Sequence, residues 1–220
     1  MENKKVEVTK VEVTKIAFRN KSIADTPFIK DFLKSINNKL RCEFENTMNA
    51  YRGSEKYLFD YGERTLLGLY TNAIIRGDNG YDRTILQEYR VDRWRCDLLL
   101  SLNNKNTDII FEVKKCCYNG KQYDDEQQEI TKGYIDKCFD QGEDYFKKEE
   151  EWFDNDTYII VLIFDSIDIF KNLKMQKELR KYKPNKYPKD GIDFYSFFYI
   201  KGISGLGVYG SIKKVKIKNT

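Results

Sequence analysis

Residues 109–115 read IIFEVKK, and this stretch decides how the rest of the chain is interpreted. Its apolar start predicts a buried strand, because short apolar runs are typical of strands in the core of a sheet. The run nevertheless ends in Glu112 and Lys114, which lie two residues apart and therefore share one face of a strand. A core strand thus carries a carboxylate and an ammonium side by side.

The segments before this strand predict an antiparallel meander. Three runs read as strands, with the polar NNKN as the turn before the last one: TILQEYRV (84–91), WRCDLLLSL (94–102) and TDIIFEVK (107–114). In the second run, alternation places Cys96 with Leu98 on one face and Asp97 with Leu99 on the other. Strands joined by a short turn pair antiparallel, so Asp97 can approach Glu112 if the register allows.

Two helices are predicted upstream of the meander. The first begins in ADTPF, near Pro27, and its apolar face repeats every four residues: Phe28, Phe32, Ile36 and Leu40. The second covers residues 54–76, with an apolar stripe formed by Leu66, Leu67, Tyr70 and Ile74. Glu63 lies on the same side as this stripe, so we expect it to face the core. A carboxylate in that place needs a partner, because burying it unpaired is costly.

The segments after the meander predict a further helix and three strands. The helix carries apolar residues four or seven positions apart: Ile130, Tyr134, Cys138, Tyr145 and Trp152. TYIIVLIFD is apolar on both faces and predicts a central strand, followed by strands in DFYSFFYI and SIKKVKI. The glycines of KGISGLGVYG predict a loop between those two. The element order predicts an α/β fold around a mixed sheet.

We expect one domain with an N-terminal extension. Residues 1–24 include the tandem VEVTKVEVTK and predict an arm or an edge strand. Residues 25–220 are predicted to form a single domain with a lysine-rich C-terminal part. Residues 171–189 are rich in lysine and include Tyr182 and Tyr187. This composition suits contact with a phosphate backbone, and it equally suits a solvated face.

The chain contains no histidine among its 220 residues. This excludes Ser-His-Asp and Cys-His triads, histidine-bound zinc and any nuclease or protease that depends on a histidine base. Catalysis must then use carboxylates, lysine, tyrosine, serine or cysteine. A metal held mainly by carboxylates is expected to be a hard cation such as Mg2+ or Mn2+.

Cysteine content and hydropathy constrain the location of the protein. The five cysteines form no CxxC pair and are odd in number, so we expect reduced thiols. No apolar window approaches the ~20 residues of a membrane span, and the start MENKKVEVTK lacks the apolar core of a signal peptide. We therefore expect a cytoplasmic protein that does not enter a membrane.

At the charged positions described above, the sequence resembles the PD-(D/E)XK nuclease superfamily, which has the restriction-endonuclease-like fold. The family pattern is a helix carrying Glu, an Asp on a strand, and an apolar run ending in Glu-x-Lys on the next strand. The matching elements are YGERTLLGLY, RWRCDLLLSL and IIFEVKK, with 14 residues between Asp97 and Glu112. The resemblance covers about residues 55–165 and implies an α/β/α sandwich with a central mixed sheet.

The resemblance implies a role for each matched residue. Asp97 and Glu112 would hold Mg2+ or Mn2+ with help from the Val113 carbonyl, and Glu63 would reach the metal directly or through water. Lys114 would orient or activate the attacking water, or stabilise charge that develops on the phosphate.

Other positions carry a weaker signal. Glu88 could join the metal site, as an acidic residue on the preceding strand, or could simply pair with Arg90 or Arg95. Gln141 and Tyr145 resemble the Q-x-x-x-Y of RecB-like members, which contacts DNA, although their long spacing from Lys114 favours surface or packing roles. Candidate nucleic-acid contacts also come from the lysine-rich segment: Lys174, Lys177 and Lys181.

The sequence thus predicts a nuclease, meaning a metal-dependent phosphodiesterase that hydrolyses nucleic acid, with DNA as the expected substrate. One alternative is a catalytically inactive protein that keeps this fold and binds nucleic acid. Another is an assembly protein whose basic tail and VEVTK arm mediate oligomerisation, and a homodimer is the simplest form of this.

Overall fold

The computed structural model describes the chain in separate ranges. These are residues 11–13, 16–18, 27–50, 62–77, 82–88, 90–91, 94–118, 125–148, 153, 155–167, 192–200 and 204–215. The predicted N-terminal arm is described only in part, and Lys174, Lys177 and Lys181 lie outside the described residues. No described helix combines the length and the apolarity needed to cross a bilayer.

Three helices and ten strands form within these ranges. The helices are α1 (Pro27–Ala50), α2 (Glu63–Arg76) and α3 (Asp125–Lys148). The strands are β1 (Val11–Val13), β2 (Ala17–Phe18), β3 (Arg83–Gln87), β4 (Arg90–Val91), β5 (Trp94–Arg95), β6 (Leu98–Leu102), β7 (Thr107–Tyr118), β8 (Asp156–Ile167), β9 (Phe194–Ile200) and β10 (Ser204–Val215).

Eight of these strands form one mixed sheet. Its order is β1, β9, β10, β8, β7, β6 and β3, with β2 also paired to β9, while β4 and β5 pair with each other in a separate ribbon. Strands β7 and β8 run parallel, and α3 lies between them in the chain. The meander of β3, β6 and β7 is antiparallel, as predicted, but two of its predicted strands are interrupted: 84–91 is divided into β3 and β4, and 94–102 into β5 and β6. The predicted α/β class with a mixed sheet is confirmed.

Helices cover both faces of the sheet. In β7, Ile109 and Phe111 pack into a cluster with α1 and α2, whereas Ile110 packs into a cluster with α3. In β8, Ile160 packs in the cluster with α1 and α2, and Ile159 packs in the cluster with α3. The central strands are therefore apolar on both faces because helices bury both. The result is three layers, with α1 and α2 on one side and α3 on the other.

The helical faces follow the predicted spacing. Helix α1 begins at Pro27, and its face is buried at Phe32, Ile36 and Leu40. The predicted stripe of α2 is buried throughout: Leu66, Leu67, Tyr70 and Ile74. The described part of α2 begins at Glu63, after Gly62 as N-cap, so most of the residues predicted before it lie outside the described residues. The side chain of Glu63 is 36% exposed, so it lies at the rim of the core and not inside it.

The glycine-rich stretch before the last strand is part of that strand. We predicted a loop at KGISGLGVYG, but β10 begins at Ser204 and pairs with β9 and β8 along these residues. The prediction was wrong because glycine serves packing here. Gly210 lies opposite Phe194, and a Cβ on Gly210 would come within 1.9 Å of the Phe194 ring. The missing side chain leaves room for the ring.

Candidate active site

The fold brings Asp97 and Glu112 to adjacent positions on neighbouring strands. The last residue pair between β6 and β7 is Leu98 with Phe111, and Asp97 and Glu112 directly adjoin this pair on the two segments. Both residues are buried, with 7% and 3% of their surface exposed. Two acidic residues therefore meet where β6 starts.

The backbone holds Asp97 in place. Asp97 lies in a bend between β5 and β6, and its Oδ2 accepts a hydrogen bond from the Val113 N–H at 2.8 Å. The bend also breaks the predicted alternation, because Cys96 packs in the α3 cluster while Leu98 packs in the cluster of α1 and α2. The prediction that Cys96 and Leu98 share a face was therefore wrong. A strand that bends at Asp97 can direct this side chain toward the backbone of β7.

Glu63 reaches the end of β7 from the first turn of α2. Its Oε2 accepts a hydrogen bond from the Lys115 N–H at 3.0 Å, and its Oε1 lies 3.7 Å from the Lys114 Nζ. Glu63 thus forms an ion pair with Lys114, whereas its contact with a metal, direct or through water, stays a prediction. The Lys114 side chain is 28% exposed, so its ammonium can meet a ligand from outside.

The charge on Lys114 is set by its acidic neighbours. Burial by itself would lower the pKa of Lys114, but the nearby carboxylates of Glu63, Asp97 and Glu112 act in the opposite direction and leave the pKa above its ordinary value. Lys114 is therefore an ammonium at neutral pH. It can donate hydrogen bonds and stabilise negative charge, and in this state it is not a proton acceptor.

Two cysteines beside the site were not predicted to lie there. Burial raises the pKa of the Cys138 thiol on α3 to about 12, and the group also feels the charges of Lys114 and Glu112. Burial likewise raises the pKa of the Cys96 thiol to about 12, with Glu112 acting in the same direction. The spacing on α3 indicated that Cys138 faces the core. It did not indicate that α3 covers the face of β7 that carries Glu112 and Lys114.

Glu88 lies next to this group in an unusual backbone conformation. Its φ is 47°, in the left-handed region that residues with a Cβ seldom adopt. Its N–H donates to the Asp97 carbonyl at 2.9 Å, and its Oε1 lies 3.2 Å from the Arg64 Nε. The carboxylate of Glu88 thus pairs with a residue of α2, which the sequence did not indicate. The side chains of the expected partners, Arg90 and Arg95, lie outside the described residues.

The two residues of the Q-x-x-x-Y pattern have different surroundings. Gln141 is exposed on α3. Tyr145 is 1% exposed, its ring centroid lies 6.2 Å from that of Phe153, and its side chain is hydrogen-bonded to Cys96. Tyr145 is therefore a core residue that joins α3 to the sheet. Because it is buried, Tyr145 is not a candidate for contact with nucleic acid.

The donor set determines which cation the site could hold. Asp97 and Glu112 offer carboxylate oxygens, and Val113 offers a backbone carbonyl; these are the hard oxygen donors that Mg2+ and Mn2+ take. Among the described residues, no group of three or more Asp, Glu, His or Cys side chains is close enough to hold a metal ion. A cation at this place would therefore complete its shell with water or substrate oxygens, as Mg2+ commonly does.

Comparison with known proteins gives no match. A scan against protein-family models finds none, and searches of curated proteins and of solved structures also find none.

Proposed function

We propose that this protein is a metal-dependent nuclease of the PD-(D/E)XK type with a restriction-endonuclease-like fold, and that it hydrolyses nucleic acid, with DNA as the expected substrate. One observation carries the proposal. Asp97 and Glu112 adjoin the last residue pair of β6 and β7, and the Asp97 carboxylate is bonded to the Val113 N–H, between Glu112 and Lys114. A helix also supplies Glu63 next to Lys114.

Each residue of the site has a chemical task in this proposal. Asp97 and Glu112 would hold Mg2+ or Mn2+, with the Val113 carbonyl as a further oxygen. When bound, such an ion lowers the pKa of water and offsets the charge of the scissile phosphate. The hydrogen bond from Val113 keeps the Asp97 carboxylate oriented, which matters because ligands must be held before the cation arrives.

Lys114 would act on the phosphate and on the attacking water. Since its neighbours keep it an ammonium, it would donate a hydrogen bond to the water or to a non-bridging phosphate oxygen. It would not take the proton from that water in the resting site. Glu63 would hold Lys114 in position by the ion pair and would hold the end of β7 through the Lys115 N–H.

A cleavage assay tests the proposal. Plasmid, linear and single-stranded DNA and RNA are incubated with the wild type in Mg2+, in Mn2+ and in excess EDTA, beside Asp97→Ala and Lys114→Ala. We expect cleavage of at least one substrate by the wild type, its loss in EDTA, and its loss in both variants. Undiminished cleavage by either variant would contradict the site assignment.

A binding measurement and sizing chromatography, beside the cleavage assay, separate the alternatives. A catalytically inactive protein that keeps the fold would bind nucleic acid and cleave none of the four substrates. An assembly protein would form oligomers in sizing chromatography without nucleic acid, independently of Asp97 and Lys114.

A further inference from the structure

The first turn of α2 contacts strand β7 and the residue that follows strand β3, and these contacts form part of a closed set. On one side, Glu63 accepts from the Lys115 N–H of β7 at 3.0 Å. On the other side, the next residue, Arg64, pairs with Glu88 at 3.2 Å. Two neighbouring residues of one helix therefore hold two different segments of the sheet.

The contacts continue from Glu88 back to β7. The Glu88 N–H donates to the Asp97 carbonyl at 2.9 Å, and the Asp97 Oδ2 accepts from the Val113 N–H at 2.8 Å. Val113 lies two residues before Lys115, which is bonded to Glu63. The circuit closes through six residues, which we call the α2 ring: Glu63, Arg64, Glu88, Asp97, Val113 and Lys115.

Glu88 is the link in the α2 ring that most needs support. A residue with a Cβ in the left-handed region is under strain and keeps that conformation only where its surroundings hold it. Two contacts hold Glu88 here, the backbone hydrogen bond to Asp97 and the ion pair with Arg64. If the ion pair is lost, Glu88 can relax, and the carbonyl of Asp97 then loses its donor.

We propose that Arg64 is a positioning residue for Asp97, acting through Glu88. The proposal rests on the proposed function, in which Asp97 binds the catalytic cation. Arg64 touches neither the cation nor the substrate in this role. It fixes the bend that directs the Asp97 carboxylate toward β7, as outer partners of metal ligands commonly do.

A matched control exists on the same helix. Arg76, near the other end of α2, pairs with Glu43 of α1 at 2.8 Å. Arg64→Ala and Arg76→Ala thus each remove one arginine and one ion pair from α2, and Arg76→Ala should destabilise the fold at least as much because its partner Glu43 is buried. Only Arg64→Ala opens the α2 ring. Any general effect of weakening α2 appears in both variants.

The test uses amide hydrogen exchange of the whole protein, measured by NMR, because this readout does not depend on nuclease activity. Arg64→Ala is expected to speed exchange of the Val113 amide by about 1.4- to 5-fold, the range of an exposed ion pair. The amide of Ile160, in the core of β8, reports global unfolding and corrects for it. Arg76→Ala is expected to leave the corrected Val113 rate unchanged.

A charge reversal and a metal titration complete the test. Arg64→Glu alone should speed Val113 exchange further, and the double variant Arg64→Glu with Glu88→Arg should restore most of the protection. Mn2+ affinity, titrated by calorimetry, should fall about 1.4- to 5-fold in Arg64→Ala and recover in the double variant.

Two results would overturn the inference. One is a corrected Val113 exchange rate in Arg64→Ala equal to that of the wild type. The other is an equal change in Arg76→Ala. If the wild type binds no Mn2+ and cleaves nothing, the proposed function fails, while the exchange rates still decide whether Arg64 positions Asp97.

Discussion

The carboxylate of Asp97 is bonded to the backbone N–H of Val113 at 2.8 Å, between the two charged residues of the neighbouring strand. Strand β6 begins at Leu98, so its pairing with β7 ends at Phe111. Beyond Phe111, the side chain of Asp97 supplies the hydrogen-bond acceptor that the backbone of β6 no longer provides. Asp97 therefore accepts the hydrogen bond at the end of the β6–β7 pairing and places a carboxylate one residue away from Glu112.

Substituting Asp97 should separate these two tasks. Asp97→Asn keeps an oxygen that can accept from the Val113 N–H but loses the charge that binds a cation. We expect its free energy of unfolding, measured in urea, to stay within about 1 kcal/mol of the wild type. Cleavage should be lost. Asp97→Ala leaves a buried N–H without this acceptor and should lose about 1–3 kcal/mol. An Asn variant that cleaves like the wild type would refute the metal role.

Lys114 should matter for catalysis and not for cation binding. Lys114→Met removes a positive charge beside Glu63, Asp97 and Glu112, so Mn2+ affinity measured by calorimetry should be equal or higher. The cleavage rate should fall about 100-fold or more, because a donor to the reacting phosphate is lost. Lys147→Met is the control, since Lys147 pairs with Asp144 on an exposed face of α3. Weaker Mn2+ binding in Lys114→Met would contradict this division of roles.

The buried cysteines should resist alkylation. With a pKa of about 12, Cys96 and Cys138 would each be thiolate in only about one molecule in ten thousand at pH 8, and burial blocks access as well. Because the thiolate is the reactive form, their reactivity should rise as the pH rises toward 12. Cys42, which is partly exposed, should react with iodoacetamide before Cys96 and Cys138, as followed by peptide mass spectrometry. Equal labelling of Cys138 and Cys42 in the folded protein would contradict the packing of α3.

Two glycine substitutions should change stability in opposite directions. Gly210→Ala places a Cβ against the Phe194 ring and should cost about 1–3 kcal/mol of unfolding free energy. Gly133 lies on an exposed part of α3 with nothing within 4 Å of its added Cβ. Gly133→Ala should therefore stabilise the protein by about 0.5–1 kcal/mol through helix propensity. Urea unfolding of both variants checks the pair, and a neutral Gly210→Ala would argue against the register of β9 and β10.

The parts of the fold that were predictable follow from simple periodicity. The stripe of α2, from Leu66 to Ile74, and the doubly apolar β8 required only the spacing of apolar residues. The meander followed from the short NNKN turn. The strand through Gly210 was missed because glycine usually marks a turn, and only the facing Phe194 ring explains its presence in β10.

The candidate site was predictable in its residues and less so in its contacts. The positions of Asp97, Glu112 and Lys114 could be read from the strand pattern. The bend at Asp97 could not, because it is accompanied by a left-handed backbone at Glu88, a residue type with no preference for that conformation. The pairing of Arg64 with Glu88 could not be predicted either, because local sequence does not reveal which elements meet in space.

The most direct test of the proposed metal site compares two acidic residues of β7. Glu112→Gln changes the candidate metal ligand, and Asp108→Asn changes a buried acid four residues earlier, which is held by Ser101 and Asn155. Each variant is assayed in Mg2+ on whichever nucleic acid the wild type cleaves. We predict loss of cleavage in Glu112→Gln and retained cleavage in folded Asp108→Asn. Full activity of Glu112→Gln would contradict it, as would a wild type that cleaves neither DNA nor RNA in Mg2+ or Mn2+.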